Sequence, residues 1–191
     1  MRTSIWCGAA IVALALGAGG DARAVPLLAV DADPSQPGLQ DVRIVSVGSS
    51  FDVFVTISNV EAAHPLHAFE LSLGYDALVL AATDADLGAF LVAPVLVVEN
   101  DATPPAVRFA ATTLGPLARD GAGELLSIHF DAIALGTSIL SLASVILAEP
   151  FGDEIVPFEL LGATIQVVPE PATGVLLVMG LGAIASRPRR A

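Results

Sequence analysis

Phe51-Asp52-Val53-Phe54-Val55-Thr56-Ile57-Ser58 is the stretch that decides how this chain folds. Phe51, Val53, Val55 and Ile57 occupy one set of alternate positions, and every polar residue of the stretch falls in the other set. Successive side chains of an extended strand point to opposite faces, so a period of two predicts a half-buried strand. The pattern recurs. Phe69, Leu71, Leu73 and Tyr75 alternate with Glu70, Ser72 and Gly74, and Leu126, Ile128, Phe130 and Ala132 alternate with Ser127, His129 and Asp131. Further strands are expected at 26–30, 42–47, 78–82, 95–99, 107–112, 139–142 and 156–168. Turn residues separate them at Gly48-Ser49, Asn100-Asp101, Gly115-Pro116, Gly121–Gly123, Gly136-Thr137 and Gly152-Asp153. Residues 31–40, with two prolines and a glycine, read as a loop, and 85–93 as a short turn of helix. No stretch between the ends offers a long helical apolar stripe. About nine strands at this spacing predict an all-β sandwich of two antiparallel sheets packed face to face.

The two ends of the chain follow different rules. Met1-Arg2-Thr3-Ser4 opens with a positive charge, an apolar run covers Ile5 to Gly20, and Ala22-Arg23-Ala24 follows. This order is that of a secretory signal peptide over residues 1–24, with Ala22 and Ala24 as the small residues at the cleavage site. The single cysteine, Cys7, lies inside that run, so the mature body from Val25 onward is free of cysteine and of disulfides. At the other end, Pro169-Glu170-Pro171 precedes an uncharged stretch from Ala172 to Ser186, which is followed by Arg187, Arg189 and Arg190. Two prolines hold the chain extended, and the arginines favour the cytoplasmic side of a bilayer. The uncharged stretch has 15 residues. A helical span needs roughly 20, so this one would cross only by thinning the bilayer or drawing arginine side chains up to the interface.

The body between these ends, residues 25–168, holds 18 of the 20 acidic residues but only three arginines, Arg43, Arg108 and Arg119, a net charge of −15. The chain has no lysine. Such a surface repels phosphate backbones and excludes nucleic acid as a partner.

The ordered triple of Pro169-Glu170-Pro171, apolar stretch and basic tail, residues 169–191, resembles the PEP-CTERM sorting signal of Gram-negative bacteria. The resemblance implies a transient inner-membrane anchor formed by a transmembrane sorting helix. It also implies cleavage by an exosortase-type membrane enzyme and delivery of the body to the cell surface or the extracellular biofilm matrix. The body, residues 25–168, is similar to a cohesin domain in four ordered segments. These are Val47-Gly48-Ser49-Ser50-Phe51-Asp52-Val53; Ala68 to Asp76 with Leu78-Val79-Leu80; Leu87-Gly88-Ala89-Phe90-Leu91; and Gly123 to Phe130 with Gly136-Thr137-Ser138. A proline usual after the Tyr-Asp pair is here Ala77. This second resemblance implies a nine-stranded jelly-roll β-sandwich used for adhesion, binding a surface protein or a polysaccharide without catalysis.

Little in the body suggests chemistry. His64 and His67 flank Pro65 closely enough to share a metal, but no third zinc ligand accompanies them. His129 falls on the outward face of its strand. Asp84 and Asp86 are the best calcium candidates, two carboxylates set two residues apart, although calcium takes about six to eight oxygens and no EF-hand pattern is present. No nucleophile elbow and no phosphate loop occur, so an enzyme is not expected, a small polysaccharide hydrolase being the remote alternative. Tyr75 is expected to bury its ring and pass its hydroxyl to a partner at the rim, and Asp76 to bond the backbone N–H two residues on. Exposed apolar residues on an outer sheet face, such as Phe54, would mark a binding module; a uniformly acidic face would mark a passive surface protein. With Trp6 in the leader and one tyrosine, the body has few aromatics for sugar stacking, which favours a protein partner.

Overall fold

The computed structural model describes residues 25–170. Eleven strands lie in them: β1 (Leu27–Asp31), β2 (Val42–Ser46), β3 (Ser50–Val60), β4 (Ala68–Gly74), β5 (Leu80–Leu87), β6 (Val95–Asp101), β7 (Ala106–Thr113), β8 (Gly121–Ala132), β9 (Gly136–Ala148), β10 (Glu159–Leu161) and β11 (Ala163–Val168). They form a five-stranded sheet in the order β10-β1-β3-β8-β5 and a six-stranded sheet in the order β2-β11-β9-β4-β7-β6. The pairing is antiparallel except for two parallel pairs, β1 with β10 and β11 with β2.

The alternation of the sequence becomes the core. Phe51, Val53, Val55 and Ile57 of β3 and Leu126, Ile128 and Phe130 of β8 face inward against Phe69, Leu71 and Leu73 of β4 and Val107 and Phe109 of β7. Burying a side chain of this size contributes about 1.5–3 kcal/mol, so two facing sheets of such residues are what holds the sandwich closed. Phe130 stacks on Phe51 at 6.0 Å and meets the edge of Tyr75 at 5.2 Å.

Three expectations are corrected. The strands number eleven rather than nine, partly because residues 156–168 do not make one strand. β10 pairs with β1 in one sheet and β11 with β9 in the other, so the chain changes layers at Gly162. A Cβ there would lie 2.5 Å from the Leu140 carbonyl oxygen, which is why the crossing uses glycine. Residues 85–93 form no helix. β5 runs on to Leu87, and the N–H groups of Gly88 and Phe90 bond the carbonyls of Leu125 and Glu124 instead of a local helical turn. Gly121–Gly123, read as a turn, opens β8 and pairs with β3.

The loop between β1 and β2 is closed by its own polar groups. Asp31 accepts the N–H groups of Asp33 and Gln40, while the Arg43 guanidinium donates to the carbonyls of Ala32 and Asp52 and lies 5.1 Å from the Phe51 ring centre. β1 enters at one end of the sandwich and β11 leaves at the other. Val25 O lies beside Asn59, late in β3, whereas Val168 O is bonded to Val47 N just before β3 begins.

Candidate functional site

The two outer faces of the sandwich are chemically unlike. On the five-stranded sheet, β3 and β8 place Asp52 opposite His129, and β5 places Asp84 on the other side of that histidine. His129 Nδ1 lies 2.7 Å from Asp52 Oδ1, and Ser50 donates to Asp131 next along the strand. The bond to Asp52 raises the His129 pKa above its ordinary value, helped by the charges of Asp52, Asp131 and Asp84 and opposed by partial desolvation. Asp86 follows at the next outward position of β5, opposite Ser127. This face is a mesh of carboxylates around one histidine. Phe54 sits on it half-buried and lines a hollow together with Pro34, Arg43 and Asp52, so it is not the fully exposed apolar residue that would mark a binding face.

The outer face of the six-stranded sheet is built from small residues. Register brings Ala148, Ala68, Thr112 and Leu96 into one cross-strand row, and Ile146, Glu70, Ala110 and Glu99 into the next. Alanines at outward positions leave a shallow floor, and Ile146 and Val98 stand up on either side of it, enclosing a trough of about 230 Å³. Val98 is there because β6 bulges between Val97 and Glu99, which re-aims the strand at this spot. β9 is also irregular where it passes β4 between Glu70 and Ser72, with Ser144 at φ 49°.

Beside the apolar trough lies a polar hollow lined by Glu70, Ser72, Glu99, Arg108 and Ser144. Among the described residues Arg108 is the one basic side chain on this face; Arg43 is bound at the loop after β1, and Arg119 lies over the Phe90 ring and donates to Ala89 O. Asp101 pairs with Arg108 across the strands. Its pKa is lowered by hydrogen bonds from the Thr103 hydroxyl and N–H, with a smaller contribution from Arg108. The face thus offers an apolar seat next to a fixed pattern of charge. Such a surface gives a protein partner both contact area and register.

The sequence-derived candidates are scattered. His64 bonds Glu149, 2.5 Å away, and His67 bonds Leu117 O at 2.6 Å, so the two histidines serve different loops. Asp84 and Asp86 are exposed on β5, and the Asp84 carboxylate accepts the N–H of Ala85. Among the described residues no three His, Cys, Asp or Glu side chains gather as a metal site. Asp76 bonds Leu78 N at 2.9 Å, as expected. The Tyr75 ring is buried as expected, but its hydroxyl finds no hydrogen-bond partner among the described residues, a correction to the rim bond read from the sequence. Pro169 and Glu170 follow β11 directly and are exposed. Pro171, Arg187, Arg189, Arg190, Ala22 and Ala24 lie outside the described residues, and among the described ones no helix is long and apolar enough to cross a membrane. This outer face was not singled out in the sequence, since its signal is small residues at outward strand positions, which advertise nothing.

Comparison with known proteins agrees with this architecture. The sequence profile of the cohesin domain matches residues 39–150. Similar solved structures include a non-cellulosomal cohesin from the hyperthermophilic archaeon Archaeoglobus fulgidus, at TM-score 0.61 and 16% identity, covering 80% of this chain and 98% of that one. A cohesin of Clostridium acetobutylicum follows at TM-score 0.60 and 20% identity, covering 78% and 94%. The cohesin of a type I cohesin–dockerin complex from Clostridium thermocellum gives 0.60 and 13%, covering 75% and 99%. At these identities the structures show a shared fold. No curated relative matches the chain in sequence. A profile match over more than half the length, on a sandwich of the same fold, places the chain: it belongs to the cohesin domain family.

Proposed function

We propose that this chain is an exported, non-catalytic module that holds a partner protein of dockerin type on the outer face of its six-stranded sheet. The observation that carries the reading is the contrast between faces. One is a carboxylate mesh, and the other is an apolar trough beside Arg108, Glu70 and Glu99. The similar cohesin from Clostridium thermocellum was solved with a dockerin bound, which supports a protein partner of that class. A polysaccharide partner is the less favoured reading. The described residues contain no tryptophan, and the one tyrosine is buried, so sugar rings find little to stack on. Isothermal titration against a panel of type I dockerins tests the proposal. Binding that disappears with Ile146→Asp is the expected result; no heat with any dockerin, together with retention on a glycan array, would overturn it.

The route to the surface forms the second half of the proposal. Residues 1–24 would direct export, with cleavage after Ala24. Residues 169–191 would anchor the chain in the inner membrane until an exosortase-type enzyme cuts near Pro169-Glu170-Pro171 and releases the body to the surface or matrix. Pro169 and Glu170 project beyond the last strand where a protease can grip them, which supports the reading. Mass spectrometry of the chain from a host carrying the sorting enzyme should give Val25 as the first residue and a terminus close to Glu170. A C-terminal tag that stays attached in that host would sink the sorting claim. Calcium at Asp84 and Asp86 is the least supported part, because two exposed carboxylates fall well short of the six to eight or so oxygens that the ion takes. Direct calcium titration decides it.

A further inference from the structure

Three turns meet where the chain leaves the sandwich. Val168 O is bonded to Val47 N, Gly48 N to Ala132 O, and the N–H groups of Ile133 and Ala134 both reach Val79 O. Val167 pairs with Gly136, at which a Cβ would touch Val79. These contacts draw residues 46–49, 75–79 and 132–136 into one tip around the exit. Three large apolar side chains on this tip face water: Leu78 is 81% exposed, Leu135 55% and Ile133 51%. The turns hold no arginine, and Asp76 commits one carboxylate oxygen to Leu78 N.

One exposed leucine is ordinary, but three gathered at a single point are not. Their position adds the second observation. Beyond Val168 stand only Pro169, Glu170 and Pro171 before the uncharged stretch that begins at Ala172. Three residues reach no more than about 11 Å, so wherever that stretch enters a bilayer the tip follows.

We propose that this tip is a membrane-contact surface: while residues 172–186 occupy a lipid bilayer, Leu78, Ile133 and Leu135 sit in its interfacial layer and stand the sandwich upright on it. The inference rests on the reading of the C-terminal segment as bilayer-entering. Its lipid is zwitterionic, since a body of charge −15 with no base at the tip is repelled by anionic headgroups. Contact is set up by tethering. A short linker holds the tip at an effective concentration in the millimolar range, where three side chains suffice although they would not bind a free body to vesicles. The strands then rise from the surface, and the docking face looks sideways, clear of the lipid.

Fluorescence tests this cleanly, because Trp6 is the only native tryptophan. The mature chain, residues 25–191, which lacks the apolar leader and with it Trp6, carries Leu78→Trp, Leu135→Trp or Phe151→Trp and is reconstituted in phosphatidylcholine vesicles with brominated or plain acyl chains. Phe151 is 97% exposed in the turn after β9, at the opposite end, and serves as the reference. All three substituted positions are open to solvent, and unchanged far-ultraviolet spectra check that each variant folds. Interfacial side chains reach about 5–10 Å into the headgroup boundary, so tryptophan at 78 and 135 is expected to lose roughly half its emission to bromine and shift to the blue. Tryptophan at 151 should do neither. Chain that floats with the vesicles but shows the same emission at 78, 135 and 151 overturns the tip and leaves the tail reading standing. Chain that does not float overturns the tail reading, and the tip with it.

Discussion

Replacing Gly162 by alanine should destabilise the sandwich far more than one methyl group suggests. The new Cβ would lie 2.5 Å from Leu140 O and 3.6 Å from its carbonyl carbon, and Cβ atoms essentially never approach an atom closer than 3.0 Å. The Leu140 oxygen belongs to β9, in the centre of the six-stranded sheet, so no flexible side-chain end can swing aside. Relief requires β11 to back away from β9 by at least about 0.5 Å, at the point where Ala163 pairs with Leu140. Ala163, Ile165 and Val167 are all buried by that pairing. Overpacking of this kind costs about 1–3 kcal/mol, and the upper half of the range applies because backbone rather than side chain must move. For a domain of this size each kcal/mol lowers the melting temperature by roughly 2–4 °C, so Gly162→Ala should melt about 4–12 °C lower. Thermal unfolding followed by far-ultraviolet circular dichroism measures it. Gly38→Ala is the control, since its Cβ would meet nothing within 4 Å and only its φ of +87° disfavours alanine. A Gly162→Ala protein that melts within a degree of the parent would refute the account of the layer change.

Other consequences can be checked alongside. Tyr75→Phe removes a buried hydroxyl that has no partner among the described residues, so it should leave stability unchanged or raise it by up to about 1 kcal/mol, read from the denaturant midpoint. Ala110→Arg fills the floor of the trough from an outward position and should weaken a bound dockerin-type partner at least tenfold, roughly 1.4 kcal/mol, without moving the melting temperature. The folded-state pKa of His129 is raised, so its pairing with Asp52 stabilises the protein below the unfolded value near 6.5 and is lost as pH rises through the folded value. A proton titration by nuclear magnetic resonance should place His129 above that value, and Asp52→Asn should bring it back; the exposed position keeps the effect on stability small.

Strands β3, β4 and β8 were legible because their inward residues are large and every second one is apolar, which leaves a single way to place them. Where pairing partners decide the matter, the sequence misleads. Leu87, Phe90 and Leu91 have the spacing of a helical face, yet β8 supplies the carbonyls that bond Gly88 and Phe90, some 35 residues along the chain. That carbonyl edge accepts glycine and little else: a Cβ on Gly88 would lie 2.4 Å from Glu124 O. Residues 156–168 read as one run for a similar reason, since only the two sheets reveal that Leu161 and Ala163 belong to different layers. The site was harder still. Phe54 drew notice by being aromatic, whereas the face that is open is floored by Ala68, Ala110 and Ala148, residues whose meaning comes from being small beside Ile146 and Val98.

Entry and exit of the chain at opposite ends of the sandwich have a mechanical meaning. A pull between Val25 and Val168 runs along β1 and β11 rather than across them. Each is flanked on both sides, β1 by β3 and β10, β11 by β9 and β2. Inter-strand bonds stand across the strands, so such a load shears a whole row at once where a peeling load would open it one rung at a time. The same layout that separates the termini therefore makes the domain a stiff link in tension.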